Sequence, residues 1–188
     1  MASNLHLIHS EGRVAAMLSV KEMRRLTLYI GILGLMAAFG ASAYGQASLR
    51  SLDGRSIDVT AQRGKVVVLV VGASWLPLSE KQAAVTTALV KKYAAKPVIF
   101  YFVATDAAAA RNAVSDAELK QFAAKNKITV PILRDPEGAV VMSKLKVEQV
   151  PSFVILDKTG AVSGEPFGGL DPKSDAAIPL SIMIDKLL

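Results

Sequence analysis

The residues of this chain that could perform chemistry are few, and the clearest cluster lies at 75–79, which reads Trp-Leu-Pro-Leu-Ser. It follows the β-branched run 66–73 after one intervening residue, Ser74, and its one nucleophilic group is the hydroxyl of Ser79. The chain has no cysteine and only two histidines, His6 and His9. Thiol chemistry and thiolate metal sites are therefore excluded. Beyond residue 9, neither a Ser-His-Asp triad nor an imidazole metal ligand is available.

Ser79 has no histidine to take its proton, so a base would have to be Lys81 or another lysine. Serine near the start of a helix usually caps backbone N–H groups, and we interpret Ser79 as a capping or solvated hydroxyl. Four acidic residues stand at predicted turns without the spacing of a metal or two-carboxylate site, and we interpret them as turn and cap residues: Asp106, Asp135, Glu137 and Asp157. The sequence predicts no metal and no cofactor.

The composition is that of a globular protein. Of 188 residues, 52% are hydrophobic and 20% are charged, and the net charge is +6. Such a chain can bury a core and is not disordered. Because the basic residues are spread along the sequence and aromatic residues are few, nucleic acid is not predicted as a partner.

The segment before residue 48 has the layout of a secretory signal peptide: Arg24 and Arg25, an apolar run over 26–39, then small residues from Ala41 to Ala47. The run of about 14 residues is shorter than the roughly 20 that span a bilayer, which favours cleavage over an uncleaved anchor. We predict an over-extended N-terminus (1–22), a signal peptide (23–47) and a folded domain (48–188). Cleavage after Ala43 or after Ala47 remains open.

Strand and helix patterns alternate through the domain, which predicts an α/β fold. The β-branched run at 66–73 is typical of a strand buried on both faces. The other predicted elements are helices at about 77–94, 115–126, 139–145 and 174–188, strands at 98–104 and 152–157, short extended pieces near 57–59 and 130–133, and a closing hairpin strand at 161–166.

Three stretches carry a resemblance to a known family: GKVVVLVVGASW at 64–75, PILRDPEG at 131–138 and VEQVPSFVILDKTG at 147–160. With the element order, they resemble the thioredoxin fold, and more narrowly the redoxin branch of TlpA-like thiol–disulfide oxidoreductases within the alkyl hydroperoxide reductase/thiol-specific antioxidant superfamily. The resemblance covers about 49–188. It implies a three-layer sandwich whose central sheet of four or five strands has helices on both faces.

The chain departs from that family at the residues that do its chemistry. Leu76 stands where the family has its attacking cysteine, and Ser79 stands where it has the resolving one. Dithiol exchange and cysteine-based peroxide reduction are therefore excluded. Pro151 matches the family's cis-proline, and the resemblance implies a cis Val150–Pro151 bond whose flanking backbone can pair with an extended segment.

The leading hypothesis is an exported, cysteine-free domain that binds a protein or peptide of the cell envelope, with a periplasmic or secreted location. The predicted binding residues are Trp75, Leu76, Pro77, Leu78, Val150 and Pro151. Simpler readings are that the leucines bury against neighbouring loops, that Trp75 packs on the sheet and that Pro151 only shapes a turn. Two other functions stay open: an oxidoreductase acting only with a partner or cofactor, and a membrane-anchored structural subunit.

Overall fold

The computed structural model describes residues 46–106 and 113–188. The predicted over-extended N-terminus, and the signal peptide apart from its last two residues, lie outside the described part. The strands are β1 (Ser48–Ser51), β2 (Ser56–Asp58), β3 (Val66–Gly72), β4 (Val98–Ala104), β5 (Ile132–Arg134) and β6 (Ser152–Leu156). The α-helices are α1 (Ser79–Lys92), α2 (Asp116–Lys125) and α3 (Ala177–Asp185), and a 3-10 helix spans Val59–Ala61.

The six strands form one mixed sheet in the order β2-β1-β5-β4-β3-β6. Strand β4 pairs in parallel with β3 on one side and with β5 on the other. The pairs β1–β2, β1–β5 and β3–β6 are antiparallel. The predicted four or five strands were too few. The sequence indicated only a small hairpin near Asp53-Gly54, but Arg50 of β1 lies in register with Arg134 of β5, so the hairpin extends the central sheet.

Strand β3 lies inside the sheet and is buried along its whole length, as its β-branched run predicted. Its alternate residues face two separate core clusters, because successive side chains of a strand point to opposite faces. Val66, Val68 and Val70 belong to the first cluster, to which all three α-helices contribute. Val67 and the other alternate residues belong to the second.

In the described part of the chain, the second cluster is covered by a 3-10 helix and by segments that are not α-helical. Val59 of the 3-10 helix and the segment 140–147 pack there. Residues 139–145, predicted as a short helix, form turns. The buried carboxylate of Asp135 accepts the N–H groups of Val140 and Val141 at 2.9 and 2.7 Å and so fixes this segment locally.

The start of α2 follows a local sequence signal. The predicted capping box opens α2: the Ser115 hydroxyl accepts the Glu118 N–H, and the Glu118 carboxylate accepts the Ser115 N–H.

Instead of a closing strand at 161–166, the described chain has two isolated bridges, Phe153 to Phe167 and Leu156 to Val162. Within 46–106 and 113–188, no helix has the length and apolar content needed to cross a membrane.

Candidate functional site

The two segments predicted to form the binding surface leave the sheet at the same end. Val71, near the end of β3, is in register with Ser152, the first residue of β6, and the two strands run antiparallel. The loop 73–78 that follows β3 and the Val150–Pro151 pair that precedes β6 therefore start from neighbouring positions. The topology brings the six predicted residues to one edge of the molecule.

The loop after β3 is a tight turn joined to the first turn of α1. The carbonyl of Ala73 accepts the N–H of Leu76 at 3.1 Å and the hydroxyl of Ser79 at 2.5 Å. The Leu76 carbonyl in turn accepts the Ser79 N–H at 3.0 Å. These bonds fix the position of the loop relative to α1.

Ser79 neither caps the helix nor meets solvent, so its predicted role was wrong. Its side chain is fully buried, and its hydroxyl donates inward to Ala73. The N-cap position of α1 is Leu78, which makes no side-chain capping bond. The hydroxyl therefore has a structural role, because its single hydrogen is donated to the backbone carbonyl of Ala73.

The exposed part of the loop is smaller than the sequence suggested. Trp75 is 50% exposed, and Pro77 is exposed as well. Leu76 is partly buried, and Leu78 packs against the first core cluster. Trp75 and Pro77 therefore supply most of the accessible apolar surface on this loop, and the reading in which the leucines bury holds for Leu78.

The second segment has the backbone geometry that the resemblance implied. The Val150–Pro151 peptide bond is cis. Pro151 is buried, and Val150 is half-buried against the second core cluster. Within the described residues, the Val150 amide and carbonyl take part in no backbone hydrogen bond.

A buried side chain that the sequence did not single out connects the two segments. Gln82 of α1 is fully buried, and its amide nitrogen donates to the carbonyls of Val71 and Ser152 at 3.0 and 2.9 Å. A Cβ at position 72 would collide with the Gln82 amide oxygen and force that side chain to shift, so glycine allows the close approach. The helical spacing of Gln82 with Val85 and Leu89, both buried, was the available signal.

A second buried polar contact holds the loop from the side of β4. One carboxylate oxygen of Asp106 accepts the N–H and the hydroxyl of Ser74 at 2.6 and 2.9 Å. Burial raises the pKa of Asp106 above its ordinary value, and the hydrogen bonds from Ser74 oppose this. Asp106, predicted as an ordinary turn residue, thus fixes the backbone immediately before Trp75.

An open groove adjoins the cis-proline segment. Its volume is about 580 Å³. Its lining residues come from the chain on either side of Pro151 and from the segment before Phe167: Lys146, Glu148, Gln149, Ser152, Glu165 and Pro166. None of these was predicted as a site residue, because their charges and amides are individually ordinary for loops.

The chain is similar to a known family and to several solved structures. The profile of the AhpC/TSA family matches residues 42–165. DsbF of Mycobacterium tuberculosis, solved in mixed oxidized and reduced forms, is 22% identical with a TM-score of 0.61, covering 78% of this chain and 98% of that one. No curated protein matches the chain.

Two further structures agree with the same fold. A secreted Mycobacterium tuberculosis disulfide oxidoreductase homologous to Escherichia coli DsbE is 20% identical, with a TM-score of 0.58, covering 76% of this chain and 96% of that one. StoA of Bacillus subtilis is 18% identical, with a TM-score of 0.58, covering 75% and 97%. At these identities the likeness shows the thioredoxin-like fold, as predicted.

Proposed function

The chain belongs to the AhpC/TSA family, and we propose that this member binds extended protein or peptide segments of the cell envelope instead of exchanging disulfides. The proposed contact surface is formed by Trp75, Leu76 and Pro77 with the backbone of Val150. Leu78, which packs against the first core cluster, and Pro151, which is buried, lie beneath that surface and support it.

The chemistry left to the chain favours binding over catalysis. The two positions that carry redox cysteines in the family that this chain resembles are Leu76 and Ser79 here, so neither has a thiol. The Ser79 hydroxyl is committed to the Ala73 carbonyl, and no histidine occurs after residue 9 to activate it. Nucleophilic catalysis by serine requires an adjacent base.

The observation that carries the proposal is the half-exposed Trp75 on a loop that is fixed on both sides. Ser74, directly before it, is held by Asp106, and the loop after it is held by the hydrogen bonds to Ala73. Tryptophan dominates many binding interfaces because it buries a large apolar area with little loss of conformational freedom. A rigid presentation lowers the entropy cost of binding further.

A bound segment would use both parts of the surface. Its backbone would pair with the amide and carbonyl of Val150, which make no backbone hydrogen bond in the described chain. Its side chains would contact Trp75 and Pro77. Strand addition of this kind needs an extended partner and no thiol.

Export is the second part of the proposal. The segment 23–47 has the layout of a signal peptide. One relative with the same fold is a secreted oxidoreductase, which is in keeping with an extracytoplasmic location. The envelope is accordingly where we expect a partner.

Intrinsic fluorescence tests the binding proposal directly, because Trp75 is the only tryptophan in the chain. Titration with reduced, carboxymethylated pancreatic ribonuclease, a permanently unfolded polypeptide that contains no tryptophan, is expected to shift the Trp75 emission and to saturate. An unchanged spectrum across the titration would reject the proposed surface.

A matched pair of variants locates the contact. Trp75→Ala is expected to weaken binding about tenfold, measured by calorimetry, as for truncation of a tryptophan at an interface. Ile178→Ala removes a side chain that is 62% exposed on α3 and should leave binding unchanged. Equal losses in both variants would show that binding is nonspecific hydrophobic contact.

A further inference from the structure

The groove beside Pro151 lies outside the contact surface formed by Trp75, Leu76, Pro77 and Val150. We infer that it selects a positively charged side chain, lysine or arginine, in the bound segment. This inference rests on the proposed function and adds the chemistry of the partner to it. Gln149 and Ser152, which line the groove, flank Val150 and Pro151, and the Val150 backbone is the part that would pair with that segment. A side chain of the segment next to Val150 therefore lies within reach of it.

The charges around the groove favour a cation. Glu148 and Glu165 contribute two carboxylates, against one ammonium group from Lys146. Within the described part of the chain, none of these three groups lies in an ion pair. All three side chains are exposed, so they remain available to a ligand. The excess of one negative charge attracts a cationic side chain and repels an acidic one.

A second observation points to a ligand at the same place. Ser152 lines the groove and is 99% buried, yet its hydroxyl has no hydrogen-bond partner in the described residues. Buried polar groups are normally paired, and an unpaired one is costly. A hydroxyl oxygen can accept a hydrogen bond from an ammonium or guanidinium group. The Ser152 backbone carbonyl, in contrast, already has a partner, because it accepts a hydrogen bond from the Gln82 side-chain amide.

The dimensions also suit a long side chain. A volume of about 580 Å³ exceeds that of any single side chain, and the groove is open to solvent, so lysine or arginine can enter together with water. The apolar stem of such a side chain would contact Pro166, while its charged end meets the carboxylates.

Selection from a displayed library of random heptapeptides tests the inference. On the wild-type protein, we expect lysine plus arginine to be enriched about threefold at one position of the selected peptides, a factor in keeping with solvent-exposed charge pairs. On the double variant Glu148→Gln/Glu165→Gln, peptides should still be selected, but without that enrichment. Glu137→Gln, which neutralises an exposed carboxylate outside the groove, is the matched control and should behave as wild type.

The possible results separate the inference from the function on which it rests. Selected peptides without a cationic preference, or a preference that persists in the double variant, would overturn the groove inference and leave peptide binding intact. Failure to select any peptide would overturn both. A selected lysine peptide should also bind less tightly at high salt than at low salt, whereas its norleucine counterpart should not change. Equal salt dependence of the two peptides would contradict the inference.

Discussion

The side-chain amide of Gln82 donates a hydrogen bond of 2.9 Å to the carbonyl oxygen of Ser152. The same nitrogen donates to Val71, so one helix side chain fastens the ends of two neighbouring strands. We expect Gln82→Ala to lower the free energy of unfolding by about 2–4 kcal/mol, because it leaves a cavity and removes both hydrogen bonds. Urea unfolding measures this loss.

Two further variants separate the hydrogen bonds from general effects. Gln82→Met fills the space without a donor and should cost about 1 kcal/mol, since it also removes the unpaired amide oxygen. Gln121→Ala alters an exposed glutamine of α2 and should change stability by less than about 0.5 kcal/mol. A loss at Gln82 no greater than that at Gln121 would contradict the bridging role.

The buried carboxyl of Asp106 predicts a particular pH dependence. Burial raises its pKa above 3.8, an effect opposed by Ser74 and Arg134 and assisted by Glu118. The native state therefore holds this proton more tightly than the unfolded state, so ionisation lowers stability as pH rises from 3.8 through the raised pKa. Asparagine does not ionise. We expect the stability of Asp106→Asn relative to wild type to be greater at pH 7 than at pH 3.5.

Thermal or urea unfolding of both proteins at the two pH values checks this sign. The other carboxyl groups titrate in both proteins, so their contributions cancel in the difference. A difference that is independent of pH, or larger in acid, would show that the Asp106 carboxyl is not destabilised by burial.

Restoring two cysteines should restore thiol chemistry. Position 79 begins α1, and its N–H bonds to the carbonyl of residue 76, which places the two residues one helical turn apart, a separation that a disulfide can bridge. We expect Leu76→Cys/Ser79→Cys to reduce insulin measurably and wild type to show no turnover. The single variants serve as controls, because neither can resolve a mixed disulfide. Turnover by wild type would refute the redox-inactive interpretation.

The start of the folded domain predicts the cleavage site, if the chain is exported. Ala47 is fully buried, and its carbonyl accepts the Val59 N–H at 3.0 Å, while the Gln46 carbonyl accepts the Lys144 ammonium at 2.6 Å. Cleavage after Ala47 would remove these contacts. We expect cleavage after Ala43, so that the exported protein begins at Tyr44 by mass spectrometry.

A comparison of two purified chains tests the physical reason for that site. A chain beginning at Ser48 should be less stable than one beginning at Tyr44 by about 1–2 kcal/mol, because the Val59 N–H loses its buried acceptor. An exported protein that begins at Ser48, or equal stability of the two chains, would contradict the assignment.

Local patterns predicted the parts of this structure that depend on neighbouring residues. The β-branched run gave β3, and the spacing of Ser115 and Glu118 gave the start of α2. The resemblance gave the cis bond at Pro151. Contacts between distant segments were not predictable in this way: β1 joins the central sheet by pairing Arg50 with Arg134 and Ser51 with Leu133, some eighty residues away along the chain.

The site shows the same division. The two loops that carry the predicted residues leave the sheet at one end, but the exposure of those residues depends on packing that spacing alone does not specify. Ser79 is the first residue of the helix and not its N-cap, and its hydroxyl turns inward to the Ala73 carbonyl, whereas a serine near a helix start more often caps it. Gln82 resembles a surface glutamine by type, and only its place on the buried stripe with Val85 distinguishes it.

The backbone available at the cis-proline segment limits what kind of partner the proposed surface can hold. Pro151 has no N–H, and Ser152 is in register with Val71 and accepts from Gln82, so Val150 alone offers both a donor and an acceptor. Main-chain pairing at the proposed surface is therefore confined to one residue. Any further affinity for an extended segment has to come from contacts with its side chains, so the partner's sequence, and not its backbone alone, decides how tightly it is held.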